Sequence, residues 1–84
     1  MRTIKDEISK LQNERTNTRF SYLVRVCEEH FGGERIKGSH HVFKMPWPGD
    51  PRINLQKDAS KAKPYQVDQV IEALIKLDGM KGKK

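Results

Sequence analysis

The chain has 84 residues, 35% hydrophobic and 33% charged, which allows one small domain with a modest core and most side chains in water. No apolar run approaches the roughly 18 residues of a membrane span, and a single cysteine, Cys27, excludes an internal disulfide. Met1 to Lys10 is charged throughout with no apolar leader segment, so a cytoplasmic protein is expected, and the net charge of +6 points to a polyanionic partner.

Ile4, Ile8 and Leu11 recur at helical spacing between Thr3 and about Arg15, predicting a helix with a thin apolar face. The polar run Asn13 to Thr18 breaks it, with Asn17 or Thr18 placed to cap the next helix. Phe20, Leu23, Val24, Cys27 and Phe31 then mark an amphipathic helix that Gly32-Gly33 ends. Cys27 lies on this apolar stripe and reads as a small core residue. The period then changes to two. Arg35–Lys37, His41–Met45 and Arg52–Gln56 are short, alternating and rich in β-branched or aromatic residues. Gly38-Ser39 separates the first two, and Pro46 to Pro51 the second from the third, so three antiparallel strands joined by hairpins are expected. Lys57 to Lys63 is a polar loop. Pro64 suits the first position of a closing helix whose apolar set is Val67, Val70, Ile71, Leu74, Ile75 and Leu77. Gly79 is expected to end it, leaving Met80 to Lys84 as a basic tail. The order α-α-β-β-β-α predicts an α+β domain with helices packed on one sheet face.

The charge is not spread evenly. Met1 to Gly33 and Pro64 to Lys84 each carry +1, whereas Glu34 to Lys63 carries +4 and two of the three histidines. Strand alternation assigns those histidines to opposite faces. His41 shares a side with Phe43 and Met45, which should meet the helices together with Ile53 and Leu55. His40 then faces outward with Lys44, beside Arg52, Asn54 and Gln56. The three histidines have no metal-binding spacing, and no glycine-rich phosphate loop is present, so no metal or cofactor is expected. Ser39 beside His40 has no third member for a nucleophilic triad. What these residues suit is a single outward histidine acting as acid or base near neutral pH, on a substrate held by Lys and Arg. RNA fits, because its 2′-hydroxyl attacks the neighbouring phosphate once a base removes its proton. Lys37 or Lys44 would stabilise the developing charge.

At Gly38-Ser39-His40-His41-Val42-Phe43 the sequence resembles the HicA family of mRNA interferase toxins, whose signature is a Gly-Ser-His segment entering the second strand. Asn17-Thr18-Arg19-Phe20, Ile53-Asn54-Leu55-Gln56 and Lys61-Ala62-Lys63-Pro64-Tyr65-Gln66-Val67 are similar to one branch of that family in the same order, so the resemblance spans about Asn17 to Leu77. It implies a fold like the double-stranded RNA-binding domain (dsRBD), with helices on one side of a three-stranded antiparallel sheet. It also implies metal-independent cleavage of mRNA and neutralisation by a HicB-type antitoxin, with which the chain would form a hetero-oligomer. The family's catalytic histidine maps to His40, with His41 the runner-up, and its glycine maps to Gly38. Lys37, Gly38, Ser39, Lys44, Lys61 and Lys63 are the expected RNA-binding residues, the last two at the start of the closing helix, where backbone N–H groups favour anions. Many relatives have a further histidine where this chain has Met45.

The expected organisation is one domain, 1–84. It has an N-terminal helical extension over 1–16, a HicA-like core over 17–78 and a tail over 79–84. The extension reads as a cap, because Ile4, Ile8 and Leu11 require burial. The competing function is a non-catalytic module that holds RNA or a protein partner on the same basic face.

Overall fold

A computed structural model describes residues 3–32, 35–37, 40–45, 47, 52–57 and 60–82. The elements are α1 (Ile4–Asn13), α2 (Phe20–His30), β1 (Arg35–Lys37), β2 (His40–Lys44), β3 (Arg52–Gln56) and α3 (Pro64–Gly82), a small α+β fold. No helix among the described residues is long and apolar enough to cross a membrane.

Helix α1 starts at a reciprocal cap. The Thr3 hydroxyl accepts from the Asp6 N–H at 3.1 Å, and the Asp6 carboxylate accepts from the Thr3 N–H at 3.2 Å. Its buried residues include Ile4 and Leu11, and the helix packs along α3. Arg15, just past its end, donates to Asp68 of α3 through Nε at 2.6 Å and Nη2 at 2.8 Å.

The expected cap of α2 is corrected. Arg19 occupies that position without a side-chain bond, while the Thr18 hydroxyl turns back to donate to the Glu14 carbonyl at 2.7 Å. A distant segment supplies what the side chain does not. The Phe20 N–H donates to the Ser60 carbonyl at 2.9 Å, the Ala62 N–H to the Thr18 carbonyl at 2.8 Å, and Arg19 forms an antiparallel bridge with Lys61. Two chain segments thus satisfy each other's backbone groups where a cap was expected. Helix α2 ends as expected at Gly32, whose φ of +64° suits a residue without a Cβ. Leu23 and Cys27 are fully buried. Val26 is buried too, whereas Val24 is only partly so.

The sheet runs β1-β2-β3 with antiparallel neighbours. Its described side-chain surface is that of β2 and β3. Phe43, Ile53 and Leu55, with Met45 just beyond β2, face inward and are buried, while α2 packs on β2 and α3 on β3. Strand β2 begins at His40, one residue earlier than expected.

Helix α3 corrects two expectations. It runs through Gly79 to Gly82, because Gly79 lacks the positive φ that would turn the chain, and glycine inside a helix only weakens it. Ile75 is 51% exposed, and Ala73 takes its place in the core. One residue past Leu74, Ile75 is rotated about 100° off the stripe that carries Val67, Val70, Leu74 and Leu77.

Candidate functional site

The sequence alternation divides the two histidines, and the backbone register fixes their neighbours. His40 stands opposite Gln56, Val42 opposite Asn54 and Lys44 opposite Arg52, so these six share the face of the sheet turned away from the helices. On the other strand of this sheet, Lys37 stands opposite His40 and Arg35 opposite Val42. His41 points the other way, opposite Leu55, and its ring meets Phe20 of α2 edge-on at a centroid separation of 5.3 Å. His40 is therefore the outward histidine and His41 the helix-side one.

A second side chain orients His40. Its Nδ1 lies 3.0 Å from Oδ1 of Asn54, the diagonal neighbour across β2 and β3. With the amide oxygen toward the ring, Nδ1 donates, and in the neutral ring Nε2 then keeps the lone pair. The contact gives the ring one orientation on this face. Lys44 and Arg52 are both exposed on this face and set two cations one row along from the Val42–Asn54 pair.

The closing helix reaches the same end of the sheet. Gln66, in the first turn of α3 and 1% exposed, donates its amide N–H to the Gln56 carbonyl at 3.3 Å, and Gln56 is the residue paired with His40. Pro64 holds the first position of α3, and the Gln66 and Val67 N–H groups both donate to the Lys63 carbonyl. Lys61 and Lys63 are exposed in the segment that leads into this turn. Tyr65 is 56% exposed at the same helix start. The bridge between Arg19 and Lys61 fixes this segment to the start of α2. Gly38 and Ser39 lie outside the described residues. For Lys37 the structure gives its place in β1 and its pairing with His40.

Trp47, between the two hairpin prolines, packs rather than projects. Its ring meets Phe31 edge-on at 6.5 Å, and Lys76 Nζ lies 4.8 Å from its centroid.

Asn54 is the residue that sequence reasoning placed on the right face without giving it a role. The signal was present in the alternation of Arg52, Asn54 and Gln56, but its contact with His40 depends on the hairpin register. No protein-family model, curated protein or solved structure matches the chain.

Proposed function

We propose that this protein is a HicA-like toxin with a dsRBD-like fold, a metal-independent endoribonuclease that cleaves mRNA and is neutralised by a HicB-type antitoxin. The observation that carries the reading is the His40–Asn54 pair on the basic, outward face of the sheet. It supplies what 2′-hydroxyl activation needs: an imidazole held by one nitrogen, with the other available as the base.

In the proposed reaction, Nε2 of His40 takes the proton of a ribose 2′-hydroxyl. The 2′-oxygen forms a bond to the adjacent phosphorus while the bond to the 5′-oxygen breaks. The departing 5′-oxygen takes a proton from water, leaving a 2′,3′-cyclic phosphate and a 5′-hydroxyl end. Lys44 and Lys37 support the charge that builds on the phosphate oxygens. Lys61 and Lys63 hold the flanking phosphates as the chain passes the start of α3. Gly38 and Ser39 are assigned by the family resemblance to the backbone that approaches the RNA.

Incubation of the purified, partner-free protein with single-stranded RNA in EDTA tests this reading. Cleavage is expected, and addition of a HicB-type partner should suppress it. Retention of RNA without cleavage would replace the enzyme with the binding module.

A further inference from the structure

Away from the outward sheet face, three side chains able to ligate a metal converge where α1 meets the end of α2. Glu7 of α1 is 3% exposed, and its Oε1 accepts from the Tyr22 hydroxyl. Its Oε2 lies 4.0 Å from Nε2 of His30, the last residue of α2. That separation is too long for a hydrogen bond. His30 Nε2 is nonetheless shielded from solvent and has no hydrogen-bond partner among the described residues. Glu29 brings a further carboxylate, and one ligand atom from each of Glu7, Glu29 and His30 lies within 4.8 Å of the other two.

Two chemistries can satisfy an imidazole nitrogen that is shielded from solvent, lacks a hydrogen bond and lies beside a carboxylate. A proton on Nε2 would make an ion pair with Glu7, but at 4.0 Å it leaves the nitrogen without a hydrogen bond. A divalent ion bonds imidazole nitrogen at about 2.0–2.1 Å and carboxylate oxygen at about 2.0–2.2 Å. Two such bonds span the observed gap with modest contraction. Glu29 is exposed, and completing the set requires only that it give up a 3.6 Å surface contact with Arg25 that contributes little. Imidazole combined with carboxylate favours a zinc-type ion over magnesium or calcium, which prefer oxygen ligands alone.

We infer that Glu7, Glu29 and His30 form a site for one zinc-type divalent ion, with water in the fourth position, that ties α1 to α2. The site is separate from the cleavage chemistry proposed above and shares no residue with it.

The test uses the full chain stripped of metal by chelation and titrated with Co²⁺ and then Zn²⁺. One Co²⁺ per chain is expected, with the visible absorption of a four-coordinate ion, displaced by Zn²⁺, and Zn²⁺ should raise the melting temperature. Glu29→Gln and His30→Gln should each weaken Zn²⁺ binding by more than about tenfold, since loss of outer-shell partners alone costs that much. Glu29 is exposed, so its variant folds and keeps the test decisive even where the His30 variant is unstable. His40→Ala combined with His41→Ala should leave the affinity unchanged. Binding that survives both Glu29→Gln and His30→Gln, binding lost with the His40 and His41 variants, or no stoichiometric binding would each overturn the site.

Discussion

At the scale of the residue, the proposed cleavage turns on which nitrogen of His40 is basic and what holds it there. In the proposed reaction, the Asn54 contact at Nδ1 leaves Nε2 as the base. His40→Ala should therefore lower RNA cleavage by at least about 100-fold, the lower end for loss of a general base. Asn54→Ala should lower kcat by between about 10- and 100-fold through misorientation, with KM little changed. Asn54→Asp, which keeps the acceptor, should recover most of that loss. Steady-state kinetics on a short RNA checks both variants. His41→Ala should behave differently. Its ring contact with Phe20 makes it a packing residue, so the variant should lose about 1 kcal/mol of stability in urea unfolding and cleave RNA near the wild-type rate. The outward orientation of His40 was legible because strand side chains alternate, and no glycine bulge intervenes within β2 to reverse them. The Asn54 contact was not, since a diagonal cross-strand pair depends on a register that the sequence between β2 and β3 does not specify. The trio of Glu7, Glu29 and His30 was hidden for a similar reason: it lies across two helices whose crossing no local spacing encodes.

At the scale of the element, local pattern was most informative where one periodicity held without interruption. The apolar stripe of α2 and the alternation of β3 both lead directly to buried faces. Prediction failed where long-range backbone contacts substitute for local signals. The start of α2 is secured by Ser60 and Lys61 rather than by Asn17 or Thr18, and Gly79 stays helical because nothing at that point turns the chain. Burial makes the helices separable by mutation. Leu11→Ala should cost about 2–5 kcal/mol, measured by urea unfolding, because α1 packs its fully buried leucine into the shared core. Ile75→Ala should cost less than about 0.5 kcal/mol in the same assay, since that side chain is half in solvent. The Arg15–Asp68 pair links α1 to α3 in a titratable way. Hydrogen bonding from Arg15 holds the Asp68 carboxyl below the ordinary carboxylate value, and it holds the Arg15 guanidinium pKa correspondingly above its usual one. Because the folded pKa is depressed, the contribution of Asp68 is present above the unfolded carboxylate range and disappears as pH falls through the folded value. The side-chain carboxyl carbon of Asp68, followed by NMR, should titrate lower in the wild type than in Arg15→Gln.

At the scale of the whole molecule, helices cover one side of the sheet, and the other side carries His40, Lys44 and Arg52. A small chain with a net charge of +6 can thus devote one sheet face to a polyanion while its core lies behind the sheet. RNA affinity should fall as salt rises, with a log–log slope of about −0.7 for each phosphate contacted, and fluorescence anisotropy across a salt series checks it. Lys61→Ala combined with Lys63→Ala should flatten that slope while leaving the cleavage position unchanged. Composition and charge suggest a polyanionic partner, and the proposed binding face is the side of the sheet that carries His40, Lys44 and Arg52. What distinguishes cutting from holding is the histidine alone. The most direct measurement incubates wild-type protein and His40→Ala with the same single-stranded RNA in EDTA and identifies the new ends. The wild type should leave 2′,3′-cyclic phosphate ends, and the variant should leave the RNA intact. Equal cleavage by both proteins, or none by the wild type, would contradict the proposed mechanism.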